Sequence, residues 1–206
     1  MNNKNDILNE LYKLKLFGYK YIDKSIIIKS DNSILPNSIN ELNTRINNCN
    51  LCELSNRTKS KTIYKYNIDS KLVVLISYSL NDNQYNILKN MLNTYLDIDI
   101  MNILVLNLIK CNINNVNINK KCFDICKDYT LKQLEIINPN YILSFGEMYE
   151  YIISDKLNIG QGIRYNNAEM YYFKDLDFIL RNPSSVENYT NIFNKIKDKL
   201  EKRWDI

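Results

Sequence analysis

Apolar positions follow two kinds of pattern along this 206-residue chain, and the change between them comes near residue 72. Before it they recur at helical spacing. Ile7, Leu8, Leu11, Tyr12 and Leu14 predict a helix over residues 4 to 16. A connector, "YIDKSIIIKSDNSILP", leads to a second predicted helix in "SINELNTRINNC". There Ser38 is placed as N-cap and Glu41, three residues on, completes a capping box.

From residue 72 the apolar residues gather into short continuous runs: "KLVVLIS" (71–77), "NILVLNLI" (102–109), "YILSFG" (141–146) and "DFILRN" (177–182). Runs of this kind are typical of strands buried on both faces. Helical patterns lie between and after them, over residues 84 to 96, 122 to 137, 147 to 154 and 186 to 204. The segment "IRYNNAEMYYF" (163–173) predicts a hairpin, with its two asparagines as a weak turn. Alternating strands and helices predict an α/β fold: three layers, α/β/α, around a central parallel four-stranded sheet. Residues 1 to 37 are assigned to an N-terminal helical extension, and residues 38 to 206 to the α/β domain.

Composition narrows the chemistry. The chain is 45% hydrophobic and 24% charged, a globular balance, with no apolar run long enough to span a membrane and no signal-peptide core. A cytoplasmic location without membrane contact is therefore expected, where clustered thiols bind metal more readily than they form disulfides. The net charge of +4 permits contact with nucleic acid without demanding it. The 16 tyrosines are spread evenly in a chain rich in Asn, Lys and Ile, so they mark no stacking surface by themselves. The absence of histidine excludes Ser-His-Asp and Cys-His mechanisms.

Ligands of parallel sheets bind beyond the carboxyl ends of the strands. Four loops qualify, reading "SYSLNDN", "NLIKC", "GEM" and "NPSSVEN". The second of them ends in a cysteine. The five cysteines are spaced C-x2-C (Cys49, Cys52), then, after a long interval, C-x14-C (Cys111, Cys126), with Cys122 left over. Four thiolates can close around zinc or hold an iron–sulfur cluster, or the same residues can be small buried apolar groups. Cys122 is either core packing or a substitute ligand.

These segments together resemble the iron–sulfur branch, family 4, of the uracil-DNA glycosylase superfamily. The match rests on "CNLCELSNRTK" from Cys49, on "NLIKC" from Asn107 to Cys111, on "CKDYTLKQLEIINPNYILSFG" from Cys126 to Gly146, and on "NPSS" from Asn182 to Ser185. It covers about residues 38 to 200. The resemblance implies a [4Fe–4S] cluster (zinc being the alternative) held by Cys49, Cys52, Cys111 and Cys126. It also implies single-stranded or uracil-containing DNA as partner and a place in DNA repair. The reaction would be hydrolysis of the N-glycosidic bond of uracil or another damaged base.

The family's pattern is broken at two catalytic positions. Its glycine-rich acid loop is replaced by "SYSLNDNQYNIL", in which Asp82 is the sole carboxylate and Tyr78 and Tyr85 the sole aromatics able to stack on a base. Asp82 either positions water or is a helix N-terminal charge. Asn182 stands where the family has His and offers a weaker donor to the leaving base, and losing one good oxyanion donor costs on the order of 3 kcal/mol. Asn107 stands where the family reads the base, or else caps a strand end; Gly146, Ser184 and Ser185 complete the substrate side. Val186 would press into the minor groove, and Lys59, Lys61, Lys65, Lys120 and Lys121 would meet phosphates. Weak or altered activity is expected, with a non-catalytic repair or replication accessory protein as the alternative.

Overall fold

The computed structural model describes residues 4–18, 35–112, 118, 120–153 and 156–204. The predicted connector lies almost wholly outside the described residues. Helix α1 is Lys4–Leu16, α2 Ile39–Asn47 and α3 Glu53–Arg57. Ser38 does cap α2 in extended geometry, but its side chain makes no capping hydrogen bond, so the predicted capping box with Glu41 does not form. Burial of Leu42 and Ile46 on one face holds this helix instead.

Six strands form one mixed sheet: β1 Lys65–Tyr66, β2 Leu72–Ile76, β3 Leu104–Asn107, β4 Tyr141–Phe145, β5 Gly162–Tyr165 and β6 Ala168–Phe173. Their order is β1-β3-β2-β4-β6-β5. The inner strands β3, β2, β4 and β6 run parallel, while β1 and β5 are antiparallel at the two edges. The fold is thus α/β, but the expected four-stranded, all-parallel sheet is corrected to six strands of mixed direction.

Three of the four apolar runs are strands where the sequence puts them. The fourth, "DFILRN", is not: it lies in α6, Leu176–Arg181. The Asp175 carboxylate accepts the Phe178 N–H at 2.7 Å and starts a helix, and the buried pair Leu176 and Ile179 is spaced three apart. A six-residue apolar run fits either period, and the cap decides between them. The remaining parallel strand is β6, supplied by the predicted hairpin, whose turn places Asn166 at φ 51°.

Alternation along the strands fills both faces. Val74, Val105, Leu143 and Phe173 face one core with α4 (Asp82–Met91), the π-turn Leu92–Leu96, α6 and α7 (Thr190–Trp204). Val73, Leu75, Leu106 and Ile142 face the other, under α5 (Lys120–Ile137) and the short 3-10 turn Glu147–Tyr151. Each such fully buried aliphatic side chain contributes roughly 1.5–3 kcal/mol of transfer free energy. The predicted helix over 186 to 204 is a 3-10 turn, Pro183–Tyr189, followed by α7.

The parallel strands deliver Ile76, Asn107, Phe145 and Phe173 to one edge of the sheet. Beyond Asn107 the pairing continues, with Leu108 N–H donating to Ile76 O and Ile109 N–H to Ser77 O, both at 2.8 Å. Among the described residues no helix is long and apolar enough to cross a membrane.

Candidate metal centre and strand-end cleft

Segment 60–62 lies antiparallel to segment 110–112, through Thr62 N–H to Lys110 O at 2.7 Å and Asn112 N–H to Ser60 O at 3.0 Å. This pairing fixes Cys111 at the strand exit. Facing it, Cys122 and Cys126 stand one turn apart on α5, and Cys52 caps the start of α3. These four sulfurs gather in one small apolar cluster with Leu54 and Ile109. Cys49 lies on its flank, in the adjoining cluster of Leu42, Ile46 and Tyr129, where its thiol is the hydrogen-bond partner of the Tyr129 hydroxyl. Its charge is still felt at Cys126.

The thiols do not behave alike. A hydrogen bond from Cys111 pulls Cys52 down to about 5, against the opposing effect of burial, with the Ser55 and Leu54 amides helping. Cys111 moves up in return, because it holds the shared proton and is itself desolvated; Lys61 opposes that rise from 3.2 Å. Burial pushes Cys122 and Cys126 up to about 11. At Cys126 the Lys110 N–H and the Lys110 ammonium act the other way. Cys122 donates toward a Glu53 carboxylate oxygen at 3.9 Å.

Lys110 is 2% exposed, which is rare for a lysine. Its ammonium donates to the Asn107 carbonyl and, at 2.6 Å, to Gln133 Oε1. Among the described residues no carboxylate pairs with it, and burial lowers it to about 7, with the Cys126 thiolate pulling it back up. Lys110 is thus a buried lysine whose two acceptors, the Asn107 carbonyl and Gln133 Oε1, are both neutral. As placed, no group of three or more His, Cys, Asp or Glu side chains among the described residues is arranged to hold a single metal ion.

A cleft of about 440 Å³ opens beside Cys49, lined by Phe17, Thr44, Arg45, Asn50, Leu51 and Tyr129. Cys49 and Cys52 are the two half-buried cysteines, and the other three are buried.

The residues expected to handle a base are more scattered. Asn107 is fully buried; its NH2 donates to Ser79 Oγ at 3.0 Å, and its side-chain oxygen is buried without a hydrogen-bond partner. Ser79 also bonds Thr62 Oγ1 and Asn112 Oδ1, tying this site to the Cys111 segment. Tyr78 lines a second cleft between the ends of β2 and β4, and Gly146, which follows the lining residue Phe145, does not line it. Tyr78 is 42% exposed, and Gly146, at φ 83°, leaves room for Asp175 Cβ 3.3 Å from where its own Cβ would lie. That cleft has about 30 Å³, room for roughly one or two waters and far below the roughly 300 Å³ at which ligand pockets begin.

Asp82 is exposed in the first turn of α4, behind the Asn81 cap. Tyr85 tilts against Tyr66 at 6.3 Å on the core side of that helix and does not line the cleft. Asn182 is exposed at the end of α6, and its NH2 donates back to Phe178 O at 2.9 Å. Ser184 is exposed and Ser185 half-buried in the 3-10 turn. Val186, expected as a wedge into the minor groove, is instead buried in the core beside Phe173 and Tyr189, because that turn folds it inward. Lys61 is likewise committed to Cys111 rather than free for phosphate. Two cleft residues that sequence reasoning missed are Asp175 and Asp177. Asp177 accepts from Gln84 Nε2 at 2.8 Å. Asp177 was hidden by reading residues 177–182 as a strand, and Asp175 lies just before that run.

A family model described as the cleavage site for pathogenic type III effector avirulence factor Avr matches residues 181–199, from the end of α6 into α7. No curated protein matches the chain. Nothing in these comparisons supports the uracil-DNA glycosylase superfamily, and the resemblance drawn from the cysteine and "NPSS" segments is corrected accordingly. The matched stretch is too short to assign a family.

Proposed function

We propose that Cys49, Cys52, Cys111 and Cys126 hold a [4Fe–4S] cluster that fastens the α2–α3 segment to the strand-end edge of the sheet. The observation that carries this reading is the convergence of Cys52, Cys111 and Cys126, from three separate segments, on one small buried cluster, with Cys49 on its flank. Each thiolate of such a cluster binds its own iron, so the sulfurs stand further apart than around one zinc ion. On this reading the protein is a nucleic-acid-binding accessory module, with DNA as partner. Support for that part is the net charge of +4 and the exposed Lys59, Lys120 and Lys121, which border the cysteine segments.

A second reading, hydrolysis of an N-glycosidic bond, is favoured by one observation: the unpartnered side-chain oxygen of buried Asn107, which could accept from a base N–H. The narrow cleft and the committed Asn182 amide weigh against it. Anaerobically purified protein should be brown and bleach in air, and should bind single-stranded DNA in a salt-dependent way. It should release no base from a uracil-containing strand. Base release that disappears in Asn107→Ala would establish the second reading instead.

A further inference from the structure

We propose that the cleft beside Cys49 binds a small organic anion with a flat apolar body, whose charged group meets Arg45. The inference goes beyond the cluster reading above and does not depend on it. At about 440 Å³ the cleft lies within the size range of ligand pockets, roughly 300–1,000 Å³. Three helices supply its walls. Leu16 and Phe17 come from the end of α1, Arg45 and Leu51 from the end of α2 and the loop after it, and Tyr129 from α5. The Lys13–Asp128 ion pair, at 3.4 Å, and burial of Leu14 fasten α1 in place. The apolar lining is left partly in water: Leu16 is 42% exposed, and Phe17 and Leu51 are only half-buried. A ligand that covered these side chains would remove that surface from solvent, and the rings of Phe17 and Tyr129 suit a flat body.

The sign of the ligand follows from the polar lining. Among the described residues that line the cleft, Arg45 is the one charged side chain, and none is acidic. No carboxylate among the described residues pairs with its half-buried guanidinium. Both α1 and α2 end at the cleft, and helix C-termini carry partial negative charge that opposes an anion. Their last carbonyls are already engaged. Lys13 O and Lys15 O accept from the Phe17 and Gly18 N–H groups, and Thr44 O and Ile46 O from those of Asn48 and Cys49. The guanidinium is therefore the charge a ligand meets. Its planar fork matches a carboxylate, sulfonate or phosphate group, and it repels a cation.

Naphthoate, a flat aromatic carboxylate, and naphthol, its neutral counterpart, would be titrated calorimetrically into the anaerobically purified full chain. Naphthoate should bind saturably at one site per chain and more tightly than naphthol. Arg45→Met should weaken naphthoate about tenfold and leave naphthol unchanged, with Arg45→Lys in between. Phe17→Ala should weaken both probes together. Added salt should weaken naphthoate and not naphthol on the wild type, which keeps the test open if Arg45→Met does not fold. No saturable binding of naphthoate, equal affinity for the two probes, or full affinity for naphthoate in Arg45→Met would overturn the site.

Discussion

The Lys61 ammonium stands 3.2 Å from the Cys111 sulfur, and the two residues are also joined by an antiparallel backbone bridge. The contact lets a residue from the loop after α3 orient a thiol at the exit of a central strand. Hydrogen bonds to charged groups contribute about 1.5–3 kcal/mol, and partial exposure of Lys61 puts this one at the low end. Lys61→Met should therefore weaken metal retention roughly tenfold, measured by chelator competition, while Lys61→Arg keeps most of it.

The cysteines should separate into ligands and a bystander. Serine at Cys49, Cys52, Cys111 or Cys126 should sharply reduce iron per chain after anaerobic purification. Cys122→Ser should retain it, because the Cys122 thiol is engaged toward the Glu53 carboxylate. Iron loss in Cys122→Ser together with retention in Cys49→Ser would exchange their roles.

Cys52 should be the reactive thiol of the metal-free chain. Its folded value of about 5 lies below its ordinary value of 9, so the thiolate is favoured by folding. The sign follows: its stabilisation is complete above pH 9 and is lost as pH falls through about 5. Alkylation of Cys52, followed by mass spectrometry of peptides, should rise between about pH 4 and 6, whereas Cys126 should stay slow up to about pH 11. Equal rates at neutral pH would contradict the Cys52–Cys111 hydrogen bond.

Gly160 is a packing prediction independent of the metal. It has φ 74°, and an added Cβ would collide with Ile192 Cδ1 on α7. Gly160→Ala should cost about 1–3 kcal/mol of stability in urea unfolding of the loaded protein. Iron content should be unchanged, since Gly160 joins the β6 side of the sheet by donating to Tyr172 O at 2.7 Å.

Continuous apolar runs made β2, β3 and β4 legible, because strands buried on both faces leave that trace directly. The run holding Leu176 and Ile179 left the same trace but folded as a helix, since the Asp175 cap acts on backbone geometry that apolar patterning does not record. Spacing singled out Cys49, Cys52, Cys111 and Cys126, but the fold gathers Cys122 with Cys52, Cys111 and Cys126 and leaves Cys49 in the adjoining cluster, because Cys122 and Cys126 share one face of α5; the family drawn from the spacing was not sustained by comparison. Lys110 was the hardest to read. A single charge inside "LNLIKC" looks like a strand terminus, and only the fold shows that the chain turns there and carries the ammonium inward.

The most direct measurement is the iron and acid-labile sulfide content of anaerobically purified wild-type protein. About four of each per chain, falling together when Cys111 is changed to serine, is the predicted result. About one zinc per chain with no sulfide, or no bound metal at all, would contradict the account.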